Sequence, residues 1–325
     1  MKEIKIISTL GPSSLNKKFL RETKKIIDIY RLNLSHLTID DLIKNLKFLK
    51  KNKIKNICID TEGAQIRTYK CKTRFLHKGN EIDLQVANTT KKKNTIQLYP
   101  KFNILKIKNQ TKIHIGFDNL VLKVKKNYKK FIRCEVISSG KLEKNKGVHI
   151  ENDINLNYLT DKDLKSIDIA KKFKVKIFAL SFTNFPEDVI KIRKLIGKKN
   201  FLISKIETKN AVKYFKSISH LSNATLIDRG DLSRYVDVIK IPKVQESILN
   251  ISKKIKKPVY VATNLLESMI KSPLPTRAES NDIYYSLKCG AKGLVLAAET
   301  AIGEYPLECV EFIKKFINQY NNNFK

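Results

Sequence analysis

Short β-branched runs alternate along this chain with longer stretches whose apolar residues recur at helical spacing, the pattern of parallel strands joined by helices. The runs are Ile4–Ser8, Ile26–Leu32, Ile54–Asp60, Val175–Ser181, Phe201–Ile206, Ala224–Ile227, Pro258–Ala262 and Gly293–Ala297. Helical spacing shows in Leu42, Leu46 and Leu49, and again in Val189, Ile192 and Ile196. Eight such units closing on themselves make a (β/α)8 TIM barrel, an α/β fold. A chain of 325 residues with 42% hydrophobic residues has the length and the apolar material for it.

The alternation stops between about Tyr69 and Val148. Hairpin-like segments take over there, Glu81–Val86, Lys112–Ile115 and Leu120–Val124, with turns expected around 91–94 and at Ser138-Ser139-Gly140. This predicts a small all-β domain inserted in the barrel: barrel over 1–69, insert over 70–148, barrel again over 149–325. Helical periodicity resumes at Thr160, and Tyr305-Pro306 opens a last helix to about Gln319.

The formal net charge of +34 by itself suggests a polyanionic partner. The lysines, however, are spread through every segment beside many Ile and Asn, and runs such as Lys125-Lys126 and Lys253-Lys254 are short. No stripe or motif of a nucleic-acid-binding family accompanies them, so the charge reads as compositional bias on solvated faces and nucleic acid is not an expected partner. The five cysteines show neither a CxxC pair nor a histidine at ligand spacing, so no zinc site or disulfide framework is indicated and a reducing, cytoplasmic setting is expected. No apolar run is long enough for a signal peptide or a bilayer span. Monomer or homo-oligomer is left open.

Polar residues collect just after the expected strands, the side on which such barrels place their active sites. Arg31, Asn33 and Ser35 follow the second strand, and Asp60 and Thr61 end the third. Lys205 and Glu207 end the fifth; Arg229, Gly230 and Asp231 follow the sixth; Thr263 ends the seventh and Glu299-Thr300 the eighth. Any one of these could be a cap, a turn or a surface pair. Six strand ends presenting carboxylates, cations and hydroxyls to one rim lay out a phosphate and metal site.

With these residues in place the chain resembles pyruvate kinase over nearly its whole length. The matching blocks are Ile4–Ser14, Arg31-Leu-Asn-Leu-Ser-His36, Ile59–Thr68, Lys146-Gly-Val148, Leu159–Asp163, Ile203-Ser-Lys-Ile-Glu207, Arg229-Gly-Asp-Leu232, Val261–Met269, Pro275-Thr-Arg-Ala-Glu279, Glu299-Thr-Ala301 and Tyr305-Pro306. They occur in order, at spacings that fit a barrel.

The resemblance implies transfer of a phosphoryl group from phosphoenolpyruvate to ADP, giving pyruvate and ATP in glycolysis. Glu207 and Asp231 would hold Mg2+. Lys205 would face the phosphoryl group and the developing enolate, and Arg31 would grip the phosphoryl group. The amides of Gly230 and Asp231, with the Thr263 hydroxyl, would receive the substrate carboxylate. Arg67 and Lys162 would steady the nucleotide phosphates and His36 would line the nucleotide pocket. Asn33, Ser35, Asp60 and Thr61 match the K+ site, and the inserted domain would close as a lid.

The chain departs from the family pattern at several points. Glu62-Gly63-Ala64-Gln65 stands for Lys-Gly-Pro-Glu, which predicts stimulation by K+ without absolute dependence. Asp228 stands for an alanine before Arg-Gly-Asp, and Ser233-Arg234-Tyr235 for Gly-Val-Glu. Phe117-Asp118-Asn119 replaces Asp-Asp-Gly, and the domain that carries the sugar-phosphate effector site has no counterpart in this sequence, so effector control of that kind is not expected. These changes, and the charge, also motivate two alternatives: a relative with a different phosphoryl acceptor, and a catalytically silent basic binding protein.

Overall fold

A computed structural model describes residues 4–69, 71–86, 95–116, 119–152, 154 and 156–322. The expected turn at 91–94 and the Phe117-Asp118 pair lie outside the described residues. The chain divides into two compact units, residues 1–63 with 161–325 and residues 64–160.

The first unit is a closed barrel of eight strands: β1 Lys5–Thr9, β2 Ile29–Asn33, β3 Ile57–Asp60, β4 Ile177–Leu180, β5 Phe201–Ile206, β6 Ala224–Asp228, β7 Val259–Ala262 and β8 Gly293–Leu296. Each strand pairs in parallel with its sequence neighbour in the barrel, and β1 closes the ring against β8 through Lys5↔Gly293 to Ser8↔Leu296. These are the eight runs read from the sequence. Two, β2 and β3, start three residues later than expected, because Ile27 and Ile54 are buried in the connections that lead into them rather than in the ladder.

The barrel interior is a single buried cluster to which every strand contributes: Ile7, Ile29, Cys58, Ala179, Ile203, Leu226, Tyr260 and Val295 among others. Such packing fills the barrel rather than leaving a pore. Gly293 makes room for the largest of these groups, since a Cβ there would lie 2.6 Å from the Tyr260 ring.

The surrounding helices form where amphipathic stripes meet start signals. Helix Ile39–Lys51 begins with a capping box between Thr38 and Asp41 and buries Leu42, Leu46 and Leu49. Helix Arg277–Cys289 begins with another, between Thr276 and Glu279, and stops at Gly290 in the left-handed conformation. The last helix is Pro306–Asn322. Among the described residues no helix is long and apolar enough to cross a membrane.

The second unit contains a closed barrel of seven described strands, Ile66–Thr68, Glu81–Val86, Thr95–Tyr99, Lys112–Ile115, Leu120–Asn127, Ile132–Ser138 and Gly147–Ile150. Alternate residues of Leu120–Val124 and Ile132–Val136 are buried, the period of strands with one face on a core. The unit is wider than the expected insert at 70–148, because Ile66–Thr68 pairs with Thr95–Tyr99 and with Gly147–Ile150. The expected turn at 138–140 is tighter than it reads: Ser138 ends one strand and Gly140 opens another, Gly140–Leu142, which pairs with Arg74–Leu76.

Candidate active site

Nearly all of the candidate residues of the first unit sit at the C-terminal ends of its strands. Arg31 and Asn33 lie on β2, Asp60 ends β3, Lys205 lies on β5 with Glu207 just after it, and Asp228 ends β6. The strands are apolar and pair in register, so their last residues are delivered to one rim. There a charge can be partly desolvated and still reach a ligand.

An ion network links these ends. Arg31 donates from Nε to Asp60 Oδ2 at 2.7 Å and from Nη1 to Thr9 Oγ1 at 2.7 Å, and its Nη2 lies 2.5 Å from Asp60 Oδ2. Lys205 Nζ is 2.7 Å from Glu207 Oε1, 3.1 Å from Asp228 Oδ2 and 3.5 Å from Asp60 Oδ2. Lys205, Asp60, Glu207 and Asp228 are all buried. Burial alone would push the Lys205 pKa down, but Asp60, Glu207 and Asp228 outweigh it and the ammonium is held well above its ordinary value. Arg31 is raised in the same way, Asp60 and Asp228 overcoming burial. Asp228 is lowered despite its burial, by Lys205 and then Arg31. Glu207 moves the other way. Burial pushes it up against the pull of Lys205, Asp228 and Asp231 add to the rise, and it reaches about 8.

Glu207, Asp228 and Asp231 form an acidic group whose ligand oxygens lie within 4.8 Å of one another. Three carboxylates at that spacing are a donor set suited to a hard divalent cation such as Mg2+. Asp231 also pairs with Arg234, whose Nε lies 3.3 Å from Asp231 Oδ1.

The expected carboxylate-binding groups meet across β6 and β7. The Gly230 amide donates to Thr263 Oγ1 at 2.9 Å, and the Thr263 hydroxyl donates to Ala262 O at 2.5 Å. Thr263 and Asn264 have φ of 70° and 54°, a left-handed backbone that a β-branched residue adopts only under constraint. Arg229 supplies the constraint: it donates to Thr263 O through Nε and Nη2 while Nη1 holds both carboxylate oxygens of Asp282, at 2.7 and 2.6 Å.

Of the expected K+ ligands, Asn33 and Asp60 are register partners on β2 and β3. Asn33 Oδ1 accepts the Ser35 amide at 3.0 Å, and Thr61 Oγ1 accepts the Ser181 amide at 3.0 Å. Of the expected nucleotide groups, His36 is exposed and Lys162 Nζ lies 2.6 Å from Glu62 Oε1. Arg67 belongs to the second unit, on Ile66–Thr68, where Nη1 donates to Asn145 O at 3.3 Å.

A family profile described as the pyruvate kinase barrel domain matches residues 1–310. The chain belongs to the pyruvate kinase family. It is 33% identical over 328 residues to a protein named pyruvate kinase from Thermotoga maritima, covering 97% of this chain and 70% of that one. It is 29% identical to a pyruvate kinase of Staphylococcus aureus strain MRSA252, again over 97% of this chain but 56% of the relative. The chain thus spans little more than half the length of the staphylococcal pyruvate kinase.

Two parts of this rim escape a reading of strand ends alone. Ser181 Oγ donates to Asp60 Oδ1 at 2.9 Å and stands 3.3 Å from Lys205 Nζ, so it bridges β3 and β5. Its signal was a hydroxyl closing the apolar fourth run. Asp163 is fully buried and accepts the amides of Glu62 and Gly63 at 2.7 and 3.0 Å, fixing the turn after β3 in which Gly63 has φ 67°. A carboxylate at the start of a helix reads as an ordinary first-turn acid, and nothing local announces its distant partners.

Proposed function

We propose that this chain transfers the phosphoryl group of phosphoenolpyruvate to ADP, giving pyruvate and ATP. The observation that carries this reading is the buried Lys205 ammonium at the mouth of a pyruvate-kinase barrel, held charged beside Arg31 and the Glu207–Asp228–Asp231 group.

Phosphoryl transfer leaves little covalent work to a protein, so positioning and compensation of charge dominate. Arg31, fixed by Asp60 and Thr9, presents a guanidinium already oriented to take phosphoryl oxygens. As the phosphoryl group leaves the enol oxygen for the terminal phosphate of ADP, negative charge grows on the enolate. The Lys205 ammonium offsets that charge at short range, and the enolate then takes up a proton to become pyruvate. The Gly230 amide and the Thr263 hydroxyl, bonded to each other here, would turn to the substrate carboxylate, with the Asp231 amide beside them.

Glu207 and Asp231 would hold Mg2+, which supplies neutralising charge to the phosphoryl and carboxylate oxygens when bound. Asn33, Ser35, Asp60 and Thr61 would hold K+. His36, Arg67 and Lys162 would contact the nucleotide, and its phosphates would have to draw Lys162 from Glu62.

Pyruvate release followed in a coupled assay, with phosphoenolpyruvate, ADP, Mg2+ and K+ present, tests the reading. Folded protein that forms no pyruvate above background under these conditions removes it.

A further inference from the structure

Asp228 ends β6 with its side chain almost wholly buried. One of its oxygens lies 3.1 Å from Lys205 Nζ and the other accepts the Asp231 amide at 3.4 Å. Neither contact requires a charge at this position. An asparagine would cap the short 229–232 turn as well as an aspartate does, and Lys205 already has Glu207 at 2.7 Å and Asp60 at 3.5 Å.

Two observations give the extra charge a purpose. Glu207 Oε1 is buried and receives no directed hydrogen bond; the Lys205 ammonium is close to it only as an ion pair. A carboxylate oxygen in that state keeps lone-pair capacity that a further cation can use. Secondly, Glu207 and Asp228 lie 2.7 and 3.1 Å from the same Lys205 ammonium, and oxygens of Glu207, Asp228 and Asp231 converge to within 4.8 Å of one another. Carboxylate oxygens brought that close repel one another unless a cation is shared between them.

We propose that Asp228 is a third carboxylate of the divalent-cation site, so that this chain holds its metal ion before any phosphorylated substrate arrives. The inference rests on the functional reading above for the roles of Glu207 and Asp231. Mg2+ sites of phosphoryl-transfer enzymes usually combine one or two protein carboxylates with substrate oxygens, and so are completed by the substrate. A third protein carboxylate at Asp228, within 4.8 Å of the other two, moves the site toward capture by the protein alone. Binding then becomes ordered, with the cation first.

The test is a Mn2+ titration of the full chain without substrate, free Mn2+ being read by electron paramagnetic resonance. The wild type is compared with Asp228→Asn, Asp228→Ser, Asp231→Asn and Glu207→Gln. Asn and Ser both keep an acceptor for the Asp231 amide, so a folded protein is expected from at least one, checked by circular dichroism. The expected result is Mn2+ binding at least about tenfold weaker in the Asp228 variants, the lower end of what loss of a supporting group costs a metal site, with Asp231→Asn weakened as much or more. Asp228 variants that bind Mn2+ within about twofold of the wild type, beside a weakened Asp231→Asn, overturn the inference and leave the functional reading standing. If neither Asp231→Asn nor Glu207→Gln weakens Mn2+ binding, the cation site itself is misplaced and both readings fall.

Discussion

Arg31 holds Asp60 through two nitrogens from a neighbouring strand, Nε at 2.7 Å and Nη2 at 2.5 Å, and both side chains are buried. Asp60 in turn accepts from Ser181 and faces Lys205, so one carboxylate joins β2, β4 and β5. Removing one member of a buried pair leaves the other charged and unsolvated. Asp60→Ala should therefore lower stability by about 3–5 kcal/mol, read from urea unfolding. The exposed Lys271–Glu304 pair is the control: Lys271→Ala should leave the urea midpoint where it was. Equal effects from the two substitutions would mean that the buried network carries no special weight.

Lys205→Met should abolish turnover while leaving phosphoenolpyruvate binding largely in place, because the ammonium matters most as charge moves onto the enolate. Loss of one such contact typically costs about a hundredfold or more in kcat. Steady-state turnover beside a direct binding measurement separates the two effects. A variant that keeps more than roughly a tenth of wild-type turnover would place the key cation elsewhere.

Asp231→Ala removes an oxygen from the acidic group and frees Arg234 from its ion pair. The Mg2+ concentration for half-maximal rate should rise by at least about tenfold. A Mg2+ titration of activity decides it, and an unchanged midpoint would strike Asp231 from the ligand set.

Potassium should stimulate the reaction without being indispensable. The Asp60 carboxylate among the expected ligands is already bonded to Arg31 and Ser181, which weakens its pull on a further cation. Rates in K+-free, Na+-free buffer, compared with a K+ titration, measure the dependence. Complete inactivity without K+ would show that the Arg31 pairing does not discharge Asp60.

Glu279 gives the protein a pH-dependent component of stability. Burial alone would raise its pKa, but hydrogen bonds from Ser268 and Thr276 overcome that and lower it. A carboxyl whose folded pKa lies below its unfolded value adds stability above the unfolded value, near 4.3 in a free chain, and loses it as pH falls through the folded value. Glu279→Gln should therefore cost about 1 kcal/mol at pH 7, and the difference from wild type should shrink as the pH drops below about 4. Melting curves of both proteins at pH 7 and pH 3.5 provide the comparison; a gap that widens on acidification would contradict it.

Much of the barrel was legible because its signals are local. A buried parallel strand needs a β-branched run of a few residues, a covering helix needs an apolar stripe, and both can be read without knowing what they touch. Element ends were less legible: Ile27 and Ile54 look like strand residues because burial, which the sequence registers, is shared by connections that make no ladder. The reach of the second unit was misjudged for a related reason. Ile66–Thr68 has no local mark that says which of two sheets it will pair with, and its partners lie about thirty and eighty residues away in the chain.

The sequence by itself determined the eight strand–helix units and the polar residue types at their ends, since each depends on neighbours within one turn or one strand. Only the tertiary structure decided how those ends are joined: that Ser181 links Asp60 to Lys205, that Asp163 fixes the Gly63 turn, and that Asp228 stands with Glu207 and Asp231 instead of merely capping a short helix. The register that closes β1 on β8 sets how far each strand rises at the rim. A rise of about 3.3 Å per residue is the difference between an ion pair and no contact, so the side chains that meet depend on the register of the whole ring, which no local stretch encodes.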